Sequence, residues 1–331
     1  MDKLPDDMIF DILARLPVKF ILRCKSVCKS WRSHILNSYF VELHMVRTST
    51  NPENHSFIAH NNSQHTLCLI NKNFLDIAND FKLPLKLNKP RAYDGLNIVG
   101  SCNGLICLSY KRQRQRLKRR LYLWNPATRQ LKDINDYTHI INKYNYYYHG
   151  VSIGFGFDLS SSDYKKEIKV DLKFRVHKYE SYDLHPATVK GSPYWIIEQN
   201  PVDQQLAMIS FNMQSEKFST ISLPDGMCHR YSSIVNIIEF KESVAVAVAA
   251  RSLDEDINIW TLDDDNGWIK KFTIPNPKFR ISACLKNGDF VGDIFYRLVV
   301  YDSVNEVVTP TQLLVVRPTI YNYSESLVNL N

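Results

Sequence analysis

Residues 4–44 read LPDDMIFDILARLPVKFILRCKSVCKSWRSHILNSYFVELH, and the spacing of their apolar side chains decides the first part of the fold. Pro5 suits the first turn of a helix, where its missing N–H is not needed. Apolar residues then recur at helical spacing, namely Ile9, Ile12, Leu13 and Leu16. Pro17 ends this element, so the stretch predicts two or three short amphipathic helices.

The segment contains more large apolar side chains than so small a unit can bury. A stretch of about forty residues seldom folds alone without disulfides, metal or a partner. The surplus apolar surface therefore packs against either the following domain or another protein. The apolar pattern alone leaves both interpretations open.

Two short blocks in this segment, Arg15–Lys19 (RLPVK) and Val27–Trp31 (VCKSW), carry a family resemblance. With the Leu-Pro opening, they make the segment resemble the F-box of plant proteins over its whole length. The resemblance implies binding to the Skp adaptor and, through it, to the cullin and RING subunits of a ubiquitin ligase. It implies adaptor contacts at ten positions: Leu4, Pro5, Ile9, Ile12, Leu13, Leu16, Pro17, Leu22, Val27 and Trp31. Trp31 and Ile35 are also candidates for packing inside the helical unit.

Length and composition describe an ordinary globular protein. The chain has 331 residues, of which 44% are hydrophobic, and has room for the helical unit plus one large domain or two modest ones. It contains no apolar run long enough to span a membrane and no signal-peptide pattern, so we expect a cytoplasmic and/or nuclear protein. Its seven cysteines are scattered without a C-x-x-C pair, which predicts reduced thiols.

The positive charge is concentrated in one run, KRQRQRLKRR at residues 111–120. The net charge of the chain is +7 and this run holds seven basic residues and no acidic one, so the rest of the chain is neutral. A nucleic-acid-binding face needs charge spread over a groove or helix, and none is expected here. The run lies between two predicted strands, and three interpretations stay open: a solvated hairpin tip, a nuclear-import signal, or a contact with an acidic partner. Its basic residues are Lys111, Arg112, Arg114, Arg116, Lys118, Arg119 and Arg120.

After residue 45 the sequence changes to short β-rich runs separated by polar turns. A unit of strand, aromatic residue, turn and strand recurs, and LYLWNPATRQLKDI at 121–134 is the clearest copy. A period of about 40–50 residues with four short strands is typical of β-propeller blades. About six blades are predicted, at 55–87, 97–134, 150–186, 190–224, 234–275 and 281–316. Two packed β-sheets, as in a sandwich, are the alternative.

The predicted organisation is therefore a small all-α domain followed by an all-β, propeller-like domain. The boundaries are 1–44 for the helical domain, 45–54 for a linker and 55–331 for the β domain. We expect residues 320–330 to close the ring by pairing with the first blade.

Three blocks in the β domain add a second resemblance: GSCNGLICL at 100–108, LWNPATR at 123–129 and GFGFD at 154–158. They resemble the kelch-like, F-box-associated domain of plant F-box proteins. The S-locus F-box group of pollen recognition shares this layout, as do many unrelated paralogues. The resemblance implies that the β domain binds a target protein.

No catalytic or metal-binding pattern accompanies these domains. The ten histidines include no H-E-x-x-H, and no nucleophile elbow is present. The sequence thus predicts a non-enzymatic subunit without a cofactor, which recognises an unknown protein for ubiquitination and proteasomal degradation. The alternative is a propeller interaction protein with no ligase role, nuclear through its basic run. We expect loops 111–120, 137–149 and 226–233 to decide the choice of target.

Overall fold

Four helices open the chain in its computed structural model. They are α1 (Asp6–Ala14), α2 (Val18–Cys24), α3 (Lys29–Leu36) and α4 (Ser38–Thr50). Pro5 and Pro17 are the N-caps of the first two. Pro5 begins a helix as the sequence predicts, and α1 ends before Pro17, which was predicted to end that helix. The structure describes residues 5–50, 56–61, 66–71, 77–81, 95–111, 119–134, 154–156, 186–200, 205–224, 233–250, 255–263, 265, 267–275, 277–285, 287–295, 297–314 and 319–330.

The four helices, residues 5–50, form one helical unit with its own small core. The buried side chains of that core are Leu13, Ala14, Val18, Ile21, Ile35 and Phe40. Phe10 meets Phe40 edge-on with ring centroids 5.0 Å apart. The Arg47 guanidinium lies 2.7 Å from the Asp11 carboxylate and joins α4 to α1. Since α4 continues to Thr50, helix extends six residues into the segment predicted as a linker.

The described residues after the helical unit contain twenty strands. These are β1 (Ser56–Asn61), β2 (Thr66–Asn71), β3 (Ile77–Phe81), β4 (Gly95–Cys102), β5 (Leu105–Lys111), β6 (Arg119–Asn125), β7 (Gln130–Ile134), β8 (Ala187–Val189), β9 (Ser192–Asn200), β10 (Gln205–Asn212), β11 (Lys217–Ser222), β12 (Ser233–Phe240), β13 (Ser243–Ala250), β14 (Ile257–Leu262), β15 (Trp268–Ile274), β16 (Arg280–Cys284), β17 (Phe290–Ile294), β18 (Arg297–Asp302), β19 (Val307–Leu314) and β20 (Thr319–Tyr323).

These strands form five antiparallel, four-stranded sheets, which we number as blades. Blade 1 has the order β20-β1-β2-β3, and blades 2 to 5 contain β4–β7, β8–β11, β12–β15 and β16–β19 in sequence order. The first strand of each blade contacts the first strand of the next, and β20 contacts both β4 and β16. The ring is therefore closed by a strand late in the sequence, which confirms the predicted propeller and the predicted pairing of Ile320 with the first blade.

The described residues form five sheets, whereas about six blades were predicted. Four of the six predicted ranges match one observed sheet to within a few residues, and the range 55–87 contains three of the four strands of blade 1, whose remaining strand is β20. The sixth range, 150–186, lies outside the described residues apart from 154–156 and 186. The separate four-stranded sheets arranged in a ring replace the alternative of two packed sheets.

The two faces of the ring differ in the connections that they carry. Turns between the first and second, or third and fourth, strands of a blade lie at one face, and these are two to five residues long. We call it the near face, because its turn after β6 packs against the helical unit through Ala127. The strand ends that border the longer gaps between consecutive described strands, at 82–94, 112–118, 135–186, 223–232 and 251–256, lie at the opposite face, which we call the far face.

Candidate functional site

The helical unit exposes a set of large apolar side chains that its core does not use. Val27 is 62% exposed, and Met8, Ile12 and Phe20 are each about half exposed. Met8 and Ile12 are four residues apart on α1 and so lie on the same side of that helix. Exposed apolar side chains gathered on one small unit are typical of a protein-binding surface.

The ten predicted adaptor-binding positions fall into four groups. Pro5, Ile12, Pro17 and Val27 are exposed, whereas Ile9, Leu16, Leu22 and Trp31 are half-buried. Leu13 is 1% exposed and belongs to the core. Leu4 lies outside the described residues.

Leu13 is therefore placed differently from what the F-box resemblance implied. Its neighbour Ile12 points outward, so Leu13 occupies the inner side of α1 beside Ala14. Ile35 is buried, and Trp31 packs against the same core at the core's edge. Met8 and Phe20 are exposed apolar residues that the predicted set omitted. The spacing of Met8 and Ile12 on one helical side was the signal that could have identified Met8.

Positive charge lies beside one of the exposed apolar side chains, Phe20. The guanidinium carbon of Arg23 lies 5.8 Å from the centre of the Phe20 ring, within the range of a cation–π contact. The pKa of Lys25 is lowered, first by burial and second by the nearby charge of Arg32. The exposed apolar side chain of α2 therefore has positive charge beside it, whereas Asp6 and Asp7 place negative charge in the first turn of α1, near Met8.

The helical unit is attached to the propeller by a segment that we call the strap, residues 324–330. Leu327 of the strap is buried in the core of the helical unit. Val328 and Leu330 are buried instead with blade 2 residues, and Val41 of α4 packs against that cluster. One short segment therefore contributes to two hydrophobic cores.

Blade 2 holds the strap through the block NPAT at 125–128. The Nδ2 group of Asn125 donates hydrogen bonds to the carbonyl oxygens of Ser326 and Val328, at 3.0 and 2.9 Å. Its Oδ1 accepts from the backbone N–H groups of Ala127 and Thr128, which fixes the turn. Asn125 and Ser326 have no exposed surface. A single buried side chain thus positions both the turn and the strap.

Gly104 lies beneath the strap in a position that only glycine fits. Its φ is +76°, and a Cβ added there would lie 2.2 Å from the Cβ of Ser326. Gly104 of the block 100–108 and Asn125 of the block 123–129 thus serve the same structural purpose. They allow the strap to lie close against the near face.

The basic run leads into and out of the far face. Lys111 at the end of β5 pairs with Arg119 at the start of β6, so residues 112–118 connect a hairpin as predicted. Arg120 is exposed, with its guanidinium 3.8 Å from the Asp133 carboxylate. The side chains of Arg112, Arg114, Arg116 and Lys118 lie outside the described residues. So do 137–149 and most of 226–233.

The described part of the chain contains no group of three or more His, Cys, Asp or Glu side chains able to hold a metal ion. None of the described helices is long and apolar enough to cross a membrane. Burial raises the pKa of the Cys102 and Cys284 thiols to about 12. Both thiols are therefore protonated and unreactive at neutral pH.

Comparison with known proteins agrees with this arrangement. The F-box domain model matches residues 1–43, and the model of the F-box associated beta propeller domain matches residues 165–292. The putative F-box protein At3g23260 of Arabidopsis thaliana is 24% identical over 84% of this chain and 80% of its own length. The F-box/kelch-repeat protein At3g23880 from the same plant is 23% identical over 82% of this chain and 79% of its own length.

A third relative is more similar over a shorter stretch. The putative F-box protein At1g30920 of Arabidopsis thaliana is 53% identical over 51 residues, which cover 15% of this chain and 13% of that protein. The helical unit and the propeller each have their counterpart among these proteins. The chain therefore carries an F-box followed by an F-box-associated β-propeller domain, as plant F-box proteins do.

Proposed function

We propose that the chain is the substrate-recognition subunit of a Skp–cullin–F-box ubiquitin ligase. The F-box binds the Skp adaptor and, through it, the cullin and RING subunits. The propeller binds a target protein, which is then ubiquitinated and degraded. The chain itself makes and breaks no bonds in this function.

The observation that carries this proposal is the exposed apolar surface of the F-box. Met8, Ile12, Phe20 and Val27 stay exposed even though the strap and blade 2 cover another part of the same unit. The contacts of the F-box with the propeller therefore leave part of its apolar surface exposed. A second protein is needed to bury it, and the adaptor is the partner that an F-box implies.

The propeller offers the other half of the function at its far face. The near face carries the F-box and short turns, whereas the strand ends that border every gap of more than five residues between described strands lie at the far face. Long loops on a rigid scaffold are the usual place for recognition. We propose that the far face binds the target, with 111–120, 137–149 and 226–233 as its variable loops.

The experiment is affinity purification of the tagged full chain from plant tissue treated with a proteasome inhibitor. Skp adaptor and cullin peptides should co-purify, and a protein that accumulates only with the inhibitor would be the target. The variant Ile12→Glu/Val27→Glu should lose adaptor and cullin and retain the target. A matched control, Val304→Ser at an exposed turn of the propeller, should retain all of them. Recovery of a target without adaptor from the unaltered chain would favour the interaction protein with no ligase role.

We also propose a cytoplasmic and nuclear location, with the basic run as the import signal. The support is its local excess of positive charge at the far face, away from the adaptor surface. Contact with an acidic partner remains the second role for the same residues.

A further inference from the structure

The far-face corner of blade 5 brings exposed apolar and basic side chains together. In the strand register, Arg297 of β18 lies opposite both Ile294 of β17 and Leu314 of β19. Phe295 follows β17 directly and begins the turn into β18. Lys278 lies two residues before β16, the first strand of the same blade. Since neighbouring strands are about 4.8 Å apart, the corner spans roughly 15 Å.

Phe295 is unusual in both exposure and backbone conformation. Its side chain is 87% exposed and its φ is +44°. Nine described residues other than glycine have a positive φ, and Phe295 is the only large apolar one among them. A bulky residue is unfavourable in this region of φ, where Asn or Gly is preferred, and an exposed ring adds little to folding. Neither backbone geometry nor packing therefore explains a phenylalanine at this position.

The charge at the corner is positive. Lys278 and Arg297 are exposed there, and Arg280 at the start of β16 is half-buried opposite Asp293. Glu255 and Asp256 lie at the same face on blade 4, outside the corner. The near-face turns of blades 4 and 5 are acidic instead, with Asp263, Asp265, Asp302 and Glu306. The two faces at this side of the ring therefore differ in sign.

We propose that this corner is a docking surface for an acidic segment of the target protein that carries a large apolar side chain. Phe295 and Leu314 contact the apolar side chain, and Lys278 and Arg297 pair with the carboxylates that flank it. Aromatic and arginine side chains contribute most to protein-binding surfaces, and this corner presents both. The inference rests on the proposed function, because it names the chemical class of target that the far face accepts.

The test uses the full chain purified together with the Skp adaptor and three synthetic fluorescent peptides of twelve residues. The first contains one Phe and one Leu among Glu and Gly residues, the second has Lys in place of Glu, and the third has Ser in place of Phe and Leu. Fluorescence anisotropy should show saturable binding of the first peptide and at least tenfold weaker binding of the other two. The affinity for the first should fall as salt is raised, since exposed charges are screened.

Variants locate the binding at the corner. Phe295→Ser and Arg297→Glu should each weaken binding of the first peptide at least tenfold. Val304→Ser, which removes an 84% exposed side chain from the near-face turn of the same blade, should leave it unchanged. Phe295→Gly should lose binding while its melting temperature stays equal or rises, because glycine accepts the positive φ.

Three results would overturn the proposal: no saturable binding of the first peptide, equal affinity for all three, or equal effects of Phe295→Ser and Val304→Ser. Displacement of the first peptide by a single-stranded oligonucleotide of higher affinity would also overturn it. Binding of the adaptor to the chain in the same sample is measured independently, by co-elution in gel filtration. Loss of the adaptor with retained peptide binding would contradict the ligase role and leave the docking surface intact.

Discussion

Asn125 and Ser326 are 201 residues apart in the chain, and the side chain of one donates a 3.0 Å hydrogen bond to the backbone of the other. The contact is fully buried between blade 2 and the strap. Because Leu327, the next residue, lies in the F-box core, this bond links the F-box to the propeller. The orientation of the adaptor surface relative to the far face therefore depends on a few strap contacts.

Replacing Asn125 with alanine should destabilise the protein. The change removes the donor for two buried carbonyl oxygens and both acceptor contacts in the turn. A loss of about 2–4 kcal/mol in the free energy of unfolding is expected, since buried carbonyls without partners are unfavourable. Urea denaturation measures it, with Asn305→Ala in an exposed turn as the matched control. Equal losses in the free energy of unfolding would show that the strap contact contributes no more to stability than a side chain in an exposed turn.

Leu327→Ala should loosen the F-box more than the propeller. The side chain is buried among F-box residues, and truncation of a buried leucine costs about 2–5 kcal/mol. Amide hydrogen exchange should increase in α1–α4 and change little in blades 3 to 5. Leu314→Ala, at an exposed position, should leave exchange unchanged everywhere. Uniform acceleration across all blades would mean that the strap stabilises the whole ring.

Truncation of the neighbours Ile12 and Leu13 should affect different properties, adaptor binding for Ile12 and folding stability for Leu13. Leu13→Ala should lower the free energy of unfolding by about 2–5 kcal/mol, because the side chain belongs to the core. Ile12→Ala should change it by less than about 1 kcal/mol and weaken adaptor binding instead. Thermal unfolding of each variant, followed by adaptor pull-down of the folded protein, separates the two roles. A stable Leu13→Ala protein would contradict the assignment of Leu13 to the core.

His44 should make the F-box sensitive to mild acid. Its ring is buried and lies 3.0 Å from the Leu16 carbonyl oxygen, and burial is the main cause that lowers its pKa below 6.5. The hydrogen bond to Leu16 opposes that shift, and the charge of Arg47 adds to it. Below about pH 6.5 the unfolded chain binds a proton that the folded chain does not. The stability contributed by neutral His44 is therefore complete above that pH and decreases from there down to the folded pKa.

The measurement is urea unfolding of the full chain at several pH values between 5 and 8. His44→Gln keeps a donor for the Leu16 carbonyl and cannot take up the proton, so its stability should decline less as the pH falls. Parallel declines for the two proteins would assign the pH dependence to other groups.

Replacing the seven basic residues of 111–120 with Gln should leave the melting temperature nearly unchanged, since exposed charges contribute little to folding. A fluorescent fusion should move from nucleus to cytoplasm if the run is the import signal. An unchanged distribution would remove that role and leave the solvated hairpin or the acidic partner. Replacement of Lys270 and Lys271 on β15 is the matched control for loss of charge.

Local features of the chain were predictable from the sequence. Pro5 begins a helix and Pro17 separates α1 from α2, as expected, and the strand period gives limits within a few residues of the observed sheets for blades 2 to 5. Both follow from rules that act over one helix turn or one hairpin. The blocks around Gly104 and Asn125 were recognised by resemblance, and the structure supplies their physical reason in the strap.

Features that depend on distant contacts were not predictable. The tail 320–330 was expected to pair with the first blade, and only Thr319–Tyr323 does so. From Ser324 onward the chain turns to the F-box, because Asn125 and Gly104 make room for it on blade 2. The F-box resemblance placed Leu13 on the binding surface. Helical periodicity could not correct this, because it marks the apolar side of α1 without separating its inner from its outer edge. The far-face corner at Phe295 has no signal in the local pattern.

The most direct measurement of the central claim is calorimetric titration of the Skp adaptor into the purified full chain. The account predicts saturable one-to-one binding by the unaltered chain and by Val304→Ser. It predicts loss of binding by a folded Ile12→Glu/Val27→Glu variant, because both side chains belong to the exposed apolar surface of the F-box. Absence of binding by the unaltered chain, or full binding by the double variant, would contradict it.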